Sequence, residues 1–294
     1  MRNTILTMGL LGLVSACTLD EGNDAETGST EQLITGWATG SWGTTTDLVG
    51  ADTGWSTSTS TCVLTKVQGN LGEGGYWEIE DVQSVAAVQG GANGHYFMMA
   101  HGGAYTNQVN QRSWANNPVN VGVVCVPYKT SASGAWKTFA PRFGIAPPVK
   151  MAGLAANRRC FLTGIVGGGQ NFTHWADSMV VKQVTTPDST HPTTGWYVEG
   201  TVASNPYTEQ PSYADAACID FPSIAGEWTG AFGGATNTLT NGGGTKMCGL
   251  TGIFGAYNVN SWTDGAAISS PASQSGNWTM TVSANKFATN DCIL

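Results

Sequence analysis

Apolar and polar positions alternate over short runs, and glycine clusters separate these runs. Alternation with a period of two predicts half-buried strands, whereas no run shows the longer 3.6-residue period of an amphipathic helix. Glycine clusters at 90–91, 167–169 and 242–244 predict turns. The predicted strands are 62–69, 76–88, 95–100, 119–128, 160–167, 196–203, 248–255 and 278–283. The pattern therefore predicts an all-β protein.

One motif occurs three times, with the form C-x-L-T-x-[IV]-x-G. Its copies begin at Cys62, Cys160 and Cys248. A tryptophan precedes each copy, another follows it, and a second cysteine closes each unit; these landmarks are Trp42, Trp136, Trp228, Trp77, Trp175, Trp262, Cys125, Cys218 and Cys292. Repetition of several landmarks in one order indicates repetition of one structural unit. The predicted β repeats are 35–130, 131–222 and 223–294, each of about 65–95 residues.

The joins between repeats predict how the units pack. The segments at 129–135 and 222–227 are short, whereas independent tandem domains usually have longer, flexible linkers. We therefore expect the three repeats to surround a pseudo-threefold axis. The alternative is a row of three tandem small β-sandwiches.

Six cysteines, two in each repeat, predict disulfide bonds and an exported protein. Pairing within repeats (Cys62–Cys125, Cys160–Cys218 and Cys248–Cys292) respects the internal symmetry. A shifted scheme also uses all six cysteines: Cys125–Cys160, Cys218–Cys248 and Cys62–Cys292. No C-x2-C pair is present, so the sequence predicts no metal site.

The first 17 residues carry an export signal. Arg2 precedes an apolar run at 5–14 that is too short to span a bilayer. Val14-Ser15-Ala16-Cys17 then resembles a bacterial lipobox. The resemblance implies a lipoprotein whose signal peptide, residues 1–16, is removed and whose Cys17 is lipidated and holds the protein on a membrane. Thr18 in place of aspartate favours the outer membrane by the same resemblance.

Residues 17–34 form the lipid-bearing cysteine and an acidic tether. This segment has five Asp or Glu and no Lys or Arg, and it lacks aromatic residues. Such a composition predicts a disordered spacer. The whole chain has a net charge of −8, so nucleic acid is not an expected partner. The sequence implies no cofactor and identifies no protein partner.

Candidate catalytic groups are few. No H-E-x-x-H, G-x-S-x-G or P-loop motif is present. His95 and His101, six residues apart on one predicted strand face, together with Glu78, are the best candidates for a diverged active site. The sequence favours a protein without enzymatic activity, and no catalytic residue is assigned.

The tryptophans suggest a binding role. The six landmark tryptophans are expected in the core, next to disulfides. Trp114, Trp37 and Trp55 instead lie in polar loops, where exposed rings are typical of carbohydrate platforms. The sequence therefore favours a surface or periplasmic binding or adhesion module for glycan or cell-wall polymer. The alternatives are a structural envelope component without a small ligand and an extracellular polymer hydrolase.

Overall fold

A computed structural model describes residues 38–44, 49–71, 84–101, 105–106, 112–113, 119–137, 146–167, 176–202, 212–224, 227–240, 246–257, 263–271 and 276–293. Within these ranges every secondary-structure element is a β-strand, which confirms the all-β prediction.

Each repeat contributes six long strands in the same order. Repeat 1 has β1 (Ala38–Thr44), β2 (Val49–Ser56), β3 (Thr61–Gly69), β4 (Ser84–Gly90), β5 (His95–His101) and β8 (Val119–Val126), with the short pair β6 (Tyr105–Thr106) and β7 (Arg112–Ser113) before its last strand. Repeat 2 has β9 (Thr130–Lys137), β10 (Val149–Ala152), β11 (Arg158–Gly167), β12 (Ser178–Val184), β13 (Gly195–Thr201) and β14 (Tyr213–Asp220). Repeat 3 has β15 (Glu227–Gly233), β16 (Thr236–Thr240), β17 (Met247–Gly255), β18 (Gly265–Ser269), β19 (Trp278–Val282) and β20 (Lys286–Ile293).

Three six-stranded antiparallel sheets result, and each combines strands from two repeats. The first sheet has the order β1-β8-β3-β18-β19-β16, the second β2-β5-β4-β11-β14-β9, and the third β10-β13-β12-β17-β20-β15. Each repeat therefore places three strands in one sheet and three in the next. The exchange is cyclic, because β3 pairs with β18, β11 with β4 and β17 with β12. This arrangement is the predicted packing around a pseudo-threefold axis, whereas tandem β-sandwiches would keep each sheet within one repeat.

The residues at the second position of the motif meet one another between the three sheets. Val63, Phe161 and Gly249 occupy this position, and Val63 and Phe161 are fully buried. A Cβ built on Gly249 would lie 2.7 Å from Cδ1 of Phe161 and 3.0 Å from Cγ2 of Val63. The three copies of the motif thus converge in the core, where one large, one medium and one absent side chain fill the space together.

Three disulfides join the two cysteines of each repeat: Cys62–Cys125, Cys160–Cys218 and Cys248–Cys292. Each links directly opposite positions of neighbouring strands. The within-repeat scheme is therefore the one that the structure has. Such bonds indicate an oxidising, exported environment. Across the described ranges, no helix has the length and apolarity needed to cross a membrane.

The strand registers correct one part of the repeat alignment. Trp42 pairs with Val121 and Trp136 with Ala214, at equivalent positions of β8 and β14. Trp228 instead pairs with Cys292, and the residue at the matching position of repeat 3 is Phe232. The alignment of Trp228 with the other two tryptophans was wrong by four residues, because spacing from the cysteine does not record strand register. Trp136 is fully buried, as predicted.

Candidate functional site

The threonine of the motif is a bulge residue in all three repeats. The register shifts between Leu64 and Lys66, and the shift recurs at the equivalent place in β11 and β17. A bulge leaves one residue without a partner opposite it and changes the direction of its side chain. The residues concerned are Thr65, Thr163 and Thr251. Thr65 is buried, whereas Thr163 and Thr251 are half-buried and line pockets.

Small residues follow these bulges and lie in rows across two of the sheets. On the second sheet the row is Ala87, Gly164, Asp215 and Ala135. On the third sheet the equivalent row is Val180, Gly252, Thr289 and Ala231. Directly opposite residues share a sheet face. Each row ends at an exposed alanine of an edge strand, Ala135 or Ala231, whereas Ala87, Gly164 and Gly252 are buried.

Two pockets occupy equivalent places on these sheets. The Asp215 pocket, on the second sheet, has a volume of about 640 Å³ and is lined by Thr57, Thr61, Cys62, Val88, Gln89, Gly90, Tyr96, Lys129, Thr130, Ser133, Gly134, Ala135, Thr163, Asp215, Ala216 and Ala217. The Glu227 pocket, on the third sheet, has a volume of about 400 Å³ and is lined by Val180, Val181, Lys182, Gln183, Trp196, Glu227, Thr229, Gly230, Ala231, Thr251, Thr289, Asn290 and Asp291.

Strand register shows that most of these linings match position by position. Asp215 corresponds to Thr289, because each lies opposite the glycine that follows the bulge. Tyr96 likewise corresponds to Trp196. Tyr96 pairs with Gly90 near the end of β4, and Trp196 pairs with Gln183 near the end of β12. The pockets therefore share one framework and differ in side chains.

The first sheet differs from the other two at the position that follows the bulge. Lys66 stands where Gly164 and Gly252 stand, and it pairs with Gly122. Lys66 is half-buried, and burial lowers its pKa. A long side chain thus takes the place of a glycine on this sheet.

Asp215 is the distinctive group of its pocket. It is half-buried between Gly164 and Ala135, and burial raises the pKa of its carboxyl. Among the residues that the structure describes, no side chain forms an ion pair or hydrogen bond with it. The nearest cation in the pocket lining is the exposed Lys129, which is not within ion-pair distance.

The Glu227 pocket contains a charged cluster that joins repeats 2 and 3. Arg159 of β11 donates through Nε to Oε1 of Glu227 at 2.8 Å and through Nη2 to Oε2 at 2.5 Å. Its Nε also lies 3.5 Å from Oδ2 of Asp291. Burial and the nearby charge of Glu227 raise the pKa of Asp291 to about 8, against the opposing effect of Arg159. The two carboxyls thus share the guanidinium of Arg159.

A second polar network reaches the same pocket at Lys182. Its Nζ lies 3.7 Å from Oε1 of Glu199, and Oε2 of Glu199 lies 2.6 Å from Nε2 of His191. Nδ1 of His191 lies 3.0 Å from Oδ1 of Asp188. His191 is buried and packs edge-on against Tyr197. His191 thus lies between the two carboxylates of Asp188 and Glu199.

The two histidines of the candidate catalytic set of repeat 1 lie far apart. His95 and His101 lie at opposite ends of β5, about 20 Å apart at the usual rise of a strand. His95 bonds to Asp52 at 3.1 Å on the surface, whereas His101 is buried. Glu78 lies outside the described residues.

Of the three predicted binding tryptophans, the structure describes Trp55. Trp55 is half-buried and packs in part against the hydrophobic core. Trp37 and Trp114 lie outside the described residues, as do Cys17, the acidic tether and the landmarks Trp77, Trp175 and Trp262. Their roles stay predictions.

Sequence reasoning missed the pocket residues Asp215, Glu227 and Asp291. The one available signal was a lone charge within small or apolar runs, as at Asp215 in 213–219 and Asp291 beside Cys292. Among the described residues, no three His, Cys, Asp or Glu side chains are grouped to hold a metal ion.

The comparisons with known proteins identify no family for this chain. No family model matches the chain, and no curated protein matches it.

Proposed function

We propose that this protein is a non-catalytic glycan-binding module of the bacterial cell envelope, anchored to the outer membrane through a lipid on Cys17. One observation carries the proposal: two pockets occur at matching positions on two faces of a pseudo-symmetric scaffold. A scaffold that repeats a pocket suits a ligand that repeats a chemical unit.

The pocket chemistry suits a sugar. The volumes of about 640 and 400 Å³ lie within the usual range for small-ligand sites. Both linings are rich in hydroxyl groups, with Thr163 and Thr251 at equivalent positions. Hydroxyl and amide groups both donate and accept hydrogen bonds, and carboxylates accept them, which matches the many hydroxyls of a saccharide.

Two pockets on one rigid body would increase avidity for a polymer. When one unit of the polymer binds, a neighbouring unit is held near the second pocket, and the second binding step becomes intramolecular. Each disulfide crosslinks neighbouring strands of one sheet. Pairing of β11 with β4 and of β17 with β12 joins strands of different repeats within the two sheets that carry the pockets. The acidic tether would hold this body away from an anionic membrane surface.

The alternative of a structural envelope component has less support. Assembly through a flat apolar surface needs a contiguous apolar patch. Within the described ranges, the large apolar side chains that are well exposed are Leu154 at 40% and Phe287 at 41%. The hydrolase alternative has no assembled catalytic set among the same residues.

The test is a binding titration of the chain from residue 17 onward, oxidised, with Cys17→Ser to prevent lipidation. The ligands are soluble glycans and cell-wall fragments, and calorimetry and product analysis are run on the same samples. We expect saturable binding without product, with two sites for ligands short enough to occupy one pocket. Gln89→Ala and Thr229→Ala should each weaken one site, and Trp114→Ala tests the predicted platform. Product formation would contradict the non-catalytic role, and lack of binding to every glycan would overturn the proposal.

A further inference from the structure

Asp215 differs from every other described carboxylate of the two pockets because no cation neutralises it. Glu227 is held by Arg159, and Asp291 lies 3.5 Å from the same guanidinium. Asp215 has neither an ion pair nor a hydrogen bond among the described residues, although it is half-buried. A carboxylate removed from water without a partner is unfavourable. A ligand that brings a positive charge would relieve this cost.

The surroundings of Asp215 leave space for such a group. Its neighbours across the sheet are Gly164 on one side and Ala135 on the other. Gly164 places no side chain beside the carboxylate, where a Cβ would lie 3.0 Å from Oδ2 of Asp215 and 3.2 Å from Cβ of Ala87. The approach to the carboxylate is through the pocket of about 640 Å³ that Asp215 lines. The hydroxyls of Thr163 and Ser133 line the same pocket and supply further acceptors.

An ammonium group fits this set of acceptors. It has three N–H donors and a single positive charge, and a charge-assisted bond to a carboxylate is roughly twice as strong as a neutral one. On the first sheet Lys66 stands at the position of Gly164 and faces Gly122 in place of Asp215, so that sheet has no counterpart of this carboxylate.

We propose that the Asp215 pocket takes the free amine of an amino sugar, so that the ligand is a glycan with unacetylated 2-amino-2-deoxyhexose units. The inference rests on the proposed glycan-binding function and specifies the ligand of one pocket. An N-acetylated unit lacks the charge and places a bulky neutral amide against the carboxylate. It therefore binds this pocket less well.

The Glu227 pocket does not share this preference. Thr289 replaces Asp215, and Lys182 replaces Gln89 at the matching lining position. The carboxylate of Glu227 already accepts two hydrogen bonds from Arg159. The two pockets therefore have different ligand preferences on a shared framework, and Thr289 provides a matched control position.

The experiment compares two probes, the β-1,4-linked tetramers of glucosamine and of N-acetylglucosamine, by calorimetry at pH 6 on the same soluble chain. Both probes have the same linkage and length, and they differ only in acetylation. We expect the wild-type protein to bind the amine form about tenfold more tightly, a ratio typical of one charge-assisted hydrogen bond. Asp215→Asn is nearly isosteric, and it should remove the preference.

Two further variants show whether the effect belongs to this pocket. Gly164→Lys places an amine where Lys66 lies in repeat 1, and it should abolish the preference by occupying the carboxylate. Thr289→Val changes the equivalent position of the other pocket, and it should leave the preference unchanged. Thermal unfolding of each variant checks that it is folded.

The outcomes separate the two proposals. Equal binding of both tetramers, or a preference that survives Asp215→Asn, overturns the amine inference and leaves glycan binding in place. Binding of neither tetramer, together with no binding across the wider glycan panel, overturns both. A preference that disappears in Asp215→Asn and persists in Thr289→Val supports the inference.

Discussion

Phe161 fills the space that a side chain at Gly249 would need. The two residues occupy the same position of the motif in neighbouring repeats, and a Cβ on Gly249 would lie 2.7 Å from Cδ1 of Phe161. With Val63, they form a contact between all three sheets. The pseudo-threefold symmetry of the backbone therefore holds with unequal side chains, because the combined volume suits the available space.

The contact between Phe161 and Gly249 predicts the effect of enlarging the glycine. Gly249→Val should destabilise the protein by about 1–3 kcal/mol, the usual cost of overpacking a filled core. Urea unfolding followed by tryptophan fluorescence measures this change. The double variant Phe161→Val/Gly249→Val restores space and should recover part of the loss. Additive losses in the double variant would contradict the contact.

The disulfides should each contribute strongly to stability. They close chain separations of 63, 58 and 44 residues, for which the chain-entropy model gives about 4 kcal/mol each. Replacing Cys248 and Cys292 together by alanine should therefore lower the free energy of unfolding by up to that amount. Urea unfolding with and without reductant is the measurement. An unchanged midpoint after complete reduction would show that the folded state does not depend on these bonds.

Asp291 predicts a dependence of stability on pH. In the folded state its pKa is about 8, whereas an unfolded aspartate has a pKa of about 4. Between these values the folded state holds a proton that the unfolded state does not. Stability from this group therefore falls as pH rises through this window, and the loss levels off above about pH 8. Asp291→Asn removes the titration, so its stability relative to wild type should increase from pH 4 to pH 8.

Asp220 is the control for this pH effect because its shift has the opposite sign. The hydrogen bond from Arg158 lowers the pKa of Asp220. The stabilisation from Asp220 is therefore present above about pH 4 and is lost as pH falls below it. Asp220→Asn should cost stability at pH 7 and little at pH 2. Parallel pH profiles for the two variants would contradict both assignments.

Arg159 should be more important for stability than its neighbour Arg158. Arg159 is nearly buried, and it bonds Glu227 through two nitrogens across the boundary between repeats. Arg159→Gln leaves two neighbouring carboxyls without their cation and should cost about 2–3 kcal/mol. Arg158→Gln removes a more exposed pair with Asp220 and should cost less than about 1 kcal/mol. Equal unfolding midpoints for the two variants would show that burial does not decide the difference.

The fold class and its threefold repetition were predictable because they depend on local features. Alternation of apolar residues reports which strand face is buried, and the motif reports that one unit recurs. Two motif positions have a structural role: the cysteine forms the disulfide, and Thr163 and Thr251 line pockets. Their role as bulge residues was not predictable, because a bulge is defined only relative to the partner strand.

Spacing along the sequence gave a wrong alignment for Trp228. The residue of repeat 3 that corresponds to Trp136 is Phe232, four residues after Trp228. Distance along the chain from a cysteine does not report which residues face each other, since turns and bulges absorb differences in length. The importance of Asp215 was hidden for the same reason. Its neighbours Gly164 and Ala135 are about 50 and 80 residues away in sequence, and they meet it only through strand pairing.

By itself, the amino-acid sequence determined an all-β chain of three similar units with two cysteines in each, because periodicity and repetition are properties of a linear chain. Only the tertiary structure decided that each sheet takes strands from two repeats, that each disulfide stays within its repeat, and that Lys66 stands where the two sheets with pockets have glycine. These features depend on which strands become neighbours. Long-range pairing decides that, and burial of the shared core makes it favourable.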